Sequence, residues 1–91
     1  MEIKIKMISA ASNALTYYRG NPMAIDEETF QFISDYIEGE RIRDEKMKIA
    51  MIASAGKALK IAKQNPNMND KQILKQLMDE IPELLYNLDI K

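Results

Sequence analysis

Two pairs of acidic residues have a spacing that metal-dependent enzymes use. Asp35 and Glu38 lie three residues apart, and so do Glu80 and Glu83. On a helix this spacing puts both carboxylates of a pair on one face. Carboxylates that converge from facing helices hold Mg²⁺ and, through it, the phosphates of a nucleotide. A Mg²⁺-dependent nucleotide pyrophosphohydrolase is therefore one interpretation. Pro82 lies inside the second pair and favours another interpretation, in which the carboxylates are solvated acids near a helix end.

The composition excludes most other catalytic chemistry. The chain has no histidine and no cysteine. It therefore lacks a Ser–His–Asp or Cys–His nucleophile and the ligands of ordinary structural zinc, thiolate-bound iron–sulfur clusters and histidine-ligated haem. The three glycines lie in separate segments, so no glycine-rich phosphate loop is present. We expect a protein that is not an enzyme, with no catalytic residue, no cofactor and no metal.

The charged residues alternate between basic and acidic segments. Residues 26–45 contain eight acids and two arginines, whereas residues 46–69 contain five lysines and no acid. Clustered lysines bind phosphates by releasing counterions, so a nucleic-acid-associated protein is the alternative function. Complementary charge between neighbouring helices explains the same layout without a ligand. The candidate nucleic-acid contacts are Arg19, Lys46, Lys57, Lys60 and Lys63.

An internal repeat organises the chain. Residues 7–22 align with residues 51–66 without a gap, at an offset of 44 residues. Carried over the whole chain, this offset gives twelve identical pairs, against about 4 expected from composition alone. The sequence therefore predicts a single domain, residues 1–91, built from repeat one (1–44) and repeat two (45–91).

Each repeat predicts a helical hairpin. The first helices carry an apolar stripe rich in alanine, which lets another helix approach closely: Met7, Ile8, Ala11, Ala14, Leu15 and Tyr18, then Met51, Ile52, Ala55, Ala58, Leu59 and Ala62. An Asn-Pro pair ends each of them, and Asp26 and Asp70 are the expected caps of the second helices. The second helices are expected to bury Phe30, Ile33 and Ile37, and Leu74, Leu77 and Ile81.

The predicted fold is all-α, a four-helix domain of two tandem hairpins packed with pseudo-two-fold symmetry. We expect helices at about 2–19, 26–38, 44–63 and 70–88, the last kinked at Pro82. Whether the second and third helices join through residues 39–43 is left open. The N-terminus lacks a signal-peptide pattern and no apolar run is long enough for a membrane span, so a cytoplasmic protein that does not enter membranes is expected.

Apolar residues outside the predicted core are the candidate interface. Tyr17 and Ile61 occupy equivalent repeat positions beside the stripe, and we expect both to be exposed. Phe32 aligns with a glutamine in repeat two, so this position is apolar in repeat one only, which suggests a role that belongs to that repeat alone. With Ile42, these residues predict a non-enzymatic protein–protein interaction or assembly module whose partner is another protein or a second copy of the chain.

Overall fold

The computed structural model describes residues 2–90, and in that range every regular element is a helix. The helices are α1 (Glu2–Gly20), α2 (Asp26–Gly39), α3 (Glu45–Gln64) and α4 (Asp70–Asn87). The prediction of an all-α domain with four helices is confirmed, and each helix end lies within one residue of its expected position.

Helices α1 and α3 form the centre of the molecule. They pack against each other more extensively than any other pair, and α2 and α4 each contact both of them without touching one another. The flanking helices therefore lie on opposite sides of the central pair. Small side chains allow the close α1–α3 approach, as the alanine stripes predict; the fully or almost fully buried alanines are Ala10, Ala11, Ala14, Ala50, Ala55, Ala58 and Ala62.

The residues that α2 buries differ from those expected. The helix turns Thr29, Ile33 and Ile37 toward the core, at spacing i, i+4 and i+8, while Phe30 is 55% exposed. The expectation of a buried Phe30 is wrong because α2 is rotated by about one residue relative to the assumed stripe. Thr29 is compatible with burial because its hydroxyl donates to the carbonyl of Ile25.

Helix α4 shows the same rotation. It buries Ile73, Leu77 and Ile81, and Leu74 lies only partly buried beside them. These three positions are related to the buried positions of α2 by the 44-residue offset of the repeat. Helix α4 also continues through Pro82 without interruption.

The capping residues of the second helices lie one position before those expected. Asp26 and Asp70 are the first helical residues, and the capping positions belong to Ile25 and Asn69. Asn69 accepts a hydrogen bond from the main-chain nitrogen of Gln72 at 2.8 Å, which satisfies one free amide of the first turn. Ile25 has no oxygen in its side chain and makes no side-chain cap, although its main-chain nitrogen donates to the carboxylate of Glu28 at 3.1 Å.

Helices α2 and α3 are separate. Residues 40–44 connect them, and Arg41 adopts a left-handed conformation with φ of 57° that ends the helical run. Asp44 then caps α3 by accepting from the main-chain nitrogen of Lys46 at 2.9 Å. Among the described residues, no helix is long and apolar enough to cross a membrane.

Candidate functional site

An open groove lies between α2 and α3, and we call it the α2/α3 groove. It has a volume of about 530 Å³. Its apolar lining consists of Phe30, Ile33, Ile52 and Leu59, and its polar lining includes Asp26, Lys60 and Lys63. Such an arrangement, apolar in the middle and charged at the edges, is typical of a surface that packs against another macromolecule.

The groove is open because of how the two helices are oriented. Rotation of α2 puts Phe30 at the surface beside α3, and Ile49 of α3 is also 48% exposed. Gly56 of α3 also lines the groove, and a Cβ added at this position would meet nothing within 4 Å. The backbone of α3 is therefore accessible at Gly56, and a partner helix can come close to it.

A second apolar depression, also of about 530 Å³, lies on the opposite side of the molecule, between α1 and α4. It is lined by Lys4, Ile5, Ile8 and Met78. Ile5 is 67% exposed and Met78 is 55% exposed. It lacks the aromatic side chain and the accessible glycine of the α2/α3 groove, so the groove is the stronger candidate.

Three of the four candidate interface residues are partly buried against their own chain. The rings of Tyr17 and Phe32 stack on each other with centroids 4.4 Å apart, which joins α1 to α2. Ile42 packs against the apolar cluster that α1, α2 and α3 form together. These contacts give the residues a role in the fold of the monomer, and their predicted role in an interface stays a prediction.

The expected exposure of Ile61 is wrong. Its side chain is 3% exposed and belongs to the cluster that also contains Leu15 and Leu77. Ile61 is buried because α4 covers that side of α3. Its repeat counterpart Tyr17 is only half-buried, so the two positions do not form the symmetric surface patch that the sequence suggested.

Three of the five candidate nucleic-acid contacts form ion pairs within the chain. Arg19 binds Asp70 at 2.9 Å, Lys57 binds Glu80 at 3.1 Å and Lys63 binds Asp26 at 3.2 Å. Only Lys46 and Lys60 have no acidic partner among the described residues. Complementary charge between helices accounts for most of these five basic residues, and nucleic-acid binding stays a prediction.

The acidic pairs of the second helices lie far from one another in the fold. Asp35 and Glu38 belong to α2, and Glu80 and Glu83 belong to α4 across the central helices. Within residues 2–90 no group of three acidic side chains is arranged to hold a metal ion. Glu80 instead accepts a hydrogen bond from Gln76 and pairs with Lys57, and these two contacts hold its pKa below the usual range.

Phe30 is the residue of the groove whose exposure the sequence did not reveal, and Ile49 is a second exposed apolar residue, on α3, that the sequence did not single out. The exposure of Phe30 could not be predicted because its spacing with Ile33 and Ile37 fits a buried stripe. Ile49 had a detectable signal, because it is identical to Ile5 in the other repeat although both lie outside the predicted core. The scan of protein-family models, the search of curated proteins and the search of solved structures each gave no match to the chain.

Proposed function

We propose that this chain is a non-enzymatic interaction or assembly module of the cytoplasm that uses the α2/α3 groove to pack against a helix of another protein molecule. The observation that carries the proposal is Phe30, a large aromatic side chain that is 55% exposed beside the apolar groove. Exposed aromatic residues next to a groove are typical anchors of protein interfaces.

The shape of the groove supports a helical ligand. Helices α2 and α3 run antiparallel, since Asp26 at the start of α2 pairs with Lys63 in the last turn of α3. The groove between two such helices accepts the side-chain ridge of a third. The 14 residues of α2 span about 21 Å, enough for roughly four turns of a bound helix.

We propose in addition that the domain arose by duplication of one helical hairpin and has pseudo-two-fold symmetry. Two ion pairs support this view, because Arg19 with Asp70 and Lys63 with Asp26 exchange places under the 44-residue offset. Equivalent turns should then be interchangeable. Replacing residues 21–25 by the sequence of residues 65–69 should leave the circular dichroism spectrum unchanged, and loss of the helical fold would contradict the symmetry.

The test of the interaction surface is a selection from a displayed library of amphipathic helical peptides against the immobilised protein. We expect enriched peptides whose affinity falls at least about tenfold in Phe30→Ser, because the aromatic anchor is lost. Met78→Ser is the matched control, since Met78 is equally exposed at 55% but lies in the depression on the other side. Its affinity should be unchanged.

Two outcomes would reject the groove as an interaction surface. In one, the library yields no peptide that binds more tightly than a scrambled sequence. In the other, Phe30→Ser and Met78→Ser bind the enriched peptides equally well. Thermal unfolding of both variants shows whether they keep the fold of the unmodified chain.

A further inference from the structure

The charged residues around the α2/α3 groove divide into those with a partner in the chain and those without. On α2, Asp26 pairs with Lys63, Glu28 accepts from the main chain of Ile25, and Asp35 accepts from Gln31. The other acids of α2, Glu27 and Glu38, have no hydrogen-bond or ion-pair partner among the described residues.

The lysines of α3 divide in the same way. Lys48, Lys57 and Lys63 form ion pairs with acids of the chain. Lys46 and Lys60 are exposed, and no acidic group of residues 2–90 pairs with them. Two acids of α2 and two lysines of α3 therefore have no partner among the described residues, and of these four Lys60 lines the groove.

These four charges end two matching stripes, defined by helical spacing of three or four residues. The α2 stripe consists of Glu27, Phe30, Ser34 and Glu38, and the α3 stripe consists of Lys46, Ile49, Ala53, Gly56 and Lys60. Each stripe has a charge at both ends and apolar or small residues between them. The α2 stripe is acidic and the α3 stripe is basic, so the face that they form is complementary to itself.

We propose that the α2/α3 face binds the same face of a second copy of this chain, an inference that rests on the proposed function of the groove. A half-turn about an axis along the groove lays α2 of the second copy over α3 of the first. Because α2 and α3 are antiparallel, Glu27 then meets Lys60 of the other copy, and Glu38 meets Lys46. The alternative half-turn, about an axis across the groove, would put α2 on α2 and bring acid against acid.

The size of the face sets the strength of the dimer. Two helices, each about 10 Å wide and in contact over about 21 Å, give roughly 400 Å² per copy. The total of roughly 800 Å² is below the range of stable specific interfaces and in that of weak, transient complexes. The dimer is therefore reversible and forms as the protein concentration rises.

The test is sedimentation equilibrium of the full chain up to about 1 mM, the range in which a weak dimer is populated. The unmodified protein is expected to pass from monomer to dimer, and added salt should shift it back toward monomer. The paired variants Lys46→Glu with Lys60→Glu, and Glu27→Lys with Glu38→Lys, should each weaken dimerisation at least about tenfold because like charges face each other. An equimolar mixture of the two paired variants should dimerise again.

Recovery in the mixture distinguishes the proposed pairing from damage to the fold. A protein that stays monomeric at the highest concentration overturns the inference, as does a dimer that the charge reversals leave unchanged. Neither result decides the function of the groove, because the peptide selection tests that separately with Phe30→Ser. A monomer that binds peptides in the groove means that the partner is a different protein.

Discussion

Ser54 of α3 donates a hydrogen bond to the main-chain carbonyl oxygen of Met7 in α1, with the two oxygen atoms 2.9 Å apart. The same hydroxyl lies 2.9 Å from the carbonyl of Met51 in its own helix. Ser54 is fully buried, and these contacts satisfy its hydroxyl at the point where the two central helices meet. Its repeat counterpart is Ala10, which is also buried but makes no such bond.

Removal of this hydroxyl should destabilise the domain only modestly. Ser54→Ala loses the bond between α1 and α3 but leaves a side chain of nearly the same size as the neighbouring alanines. We expect the free energy of unfolding to fall by about 1 kcal/mol, as measured by urea denaturation. Ser12→Ala, at a half-buried serine of α1, is the control and should change it by less than about 0.5 kcal/mol.

Enlargement at the same position should be more harmful than removal of the hydroxyl. Ser54 is fully buried where α1 and α3 are in direct contact, so the larger side chain of Ser54→Val has no free space to occupy. We expect a loss of about 2–3 kcal/mol in the same denaturation experiment, because the helices must move apart. Equal free energies of unfolding for Ser54→Val and Ser54→Ala would contradict the close contact between α1 and α3.

The N-terminus of α2 is a second point where one substitution should change the stability measurably. Asn69 caps α4, whereas Ile25 at the matching end of α2 provides no side-chain acceptor and is 58% exposed. Ile25→Asn should raise the free energy of unfolding by about 1 kcal/mol, since it supplies the missing cap without emptying the core. Asn69→Ile is the reciprocal control and should lower it by a similar amount. Thermal denaturation of both variants gives the comparison, and an unchanged midpoint for Ile25→Asn would contradict it.

Much of this fold could be predicted from the sequence because the helix ends carry strong local signals. The Asn-Pro pairs after α1 and α3 and the alanine stripes locate the first helices of the two repeats. The rotation of α2 and α4 could not be predicted in the same way. Thr29 and Phe30 are adjacent, and both give an amphipathic pattern with Ile33 and Ile37. Packing against α1 and α3 decides which of them is buried.

The residues of the candidate site were harder to predict from the sequence than the helices were. Exposure of an apolar residue depends on which neighbours cover it, and Ile61 illustrates this because α4 buries it. Ion pairs such as Lys57 with Glu80 depend on the distance between helices, which no local pattern supplies. By contrast, the alternation of basic and acidic segments did indicate that neighbouring helices attract one another.

The pKa of Glu80 provides a test of the contact between α3 and α4. Its carboxylate accepts a hydrogen bond from Gln76 at 3.0 Å and lies 3.1 Å from the ammonium group of Lys57. Both contacts lower its pKa from the ordinary value of 4.5: the hydrogen bond from Gln76 is the largest single cause, and Lys57 acts through a hydrogen bond and through its charge. Gln76→Ala and Lys57→Met should therefore each raise the pKa of Glu80, as measured by carbon-13 NMR titration of the carboxyl groups.

The lowered pKa also predicts how stability depends on pH. Because the folded protein binds the proton of Glu80 less readily than the unfolded chain, ionised Glu80 stabilises the fold at pH values above 4.5. This contribution is lost as the pH falls below that value and through the pKa of the folded state. In Glu80→Gln the fall of stability in this acidic range should be shallower. An identical pH profile would mean that the contact with α3 has no effect on stability.

The two ion pairs that join the hairpins should differ in strength although the repeat relates them. Arg19 and Asp70 are both about 40% exposed, and Arg19 also donates to the carbonyl of Met68 at 3.1 Å. In the other pair the side chain of Asp26 is 93% exposed, so water screens its contact with Lys63.

Asp70→Asn should therefore cost about 1 kcal/mol and Asp26→Asn less than about 0.5 kcal/mol, as measured by urea denaturation at low salt. Both residues begin a helix, so the loss of favourable charge at the helix N-terminus is common to the two variants and cancels in the comparison. In about 1 M salt the difference should shrink, because screening acts within about 3 Å. Equal losses at low salt would show that the end of the helix, and not the pairing with Arg19, gives Asp70 its effect.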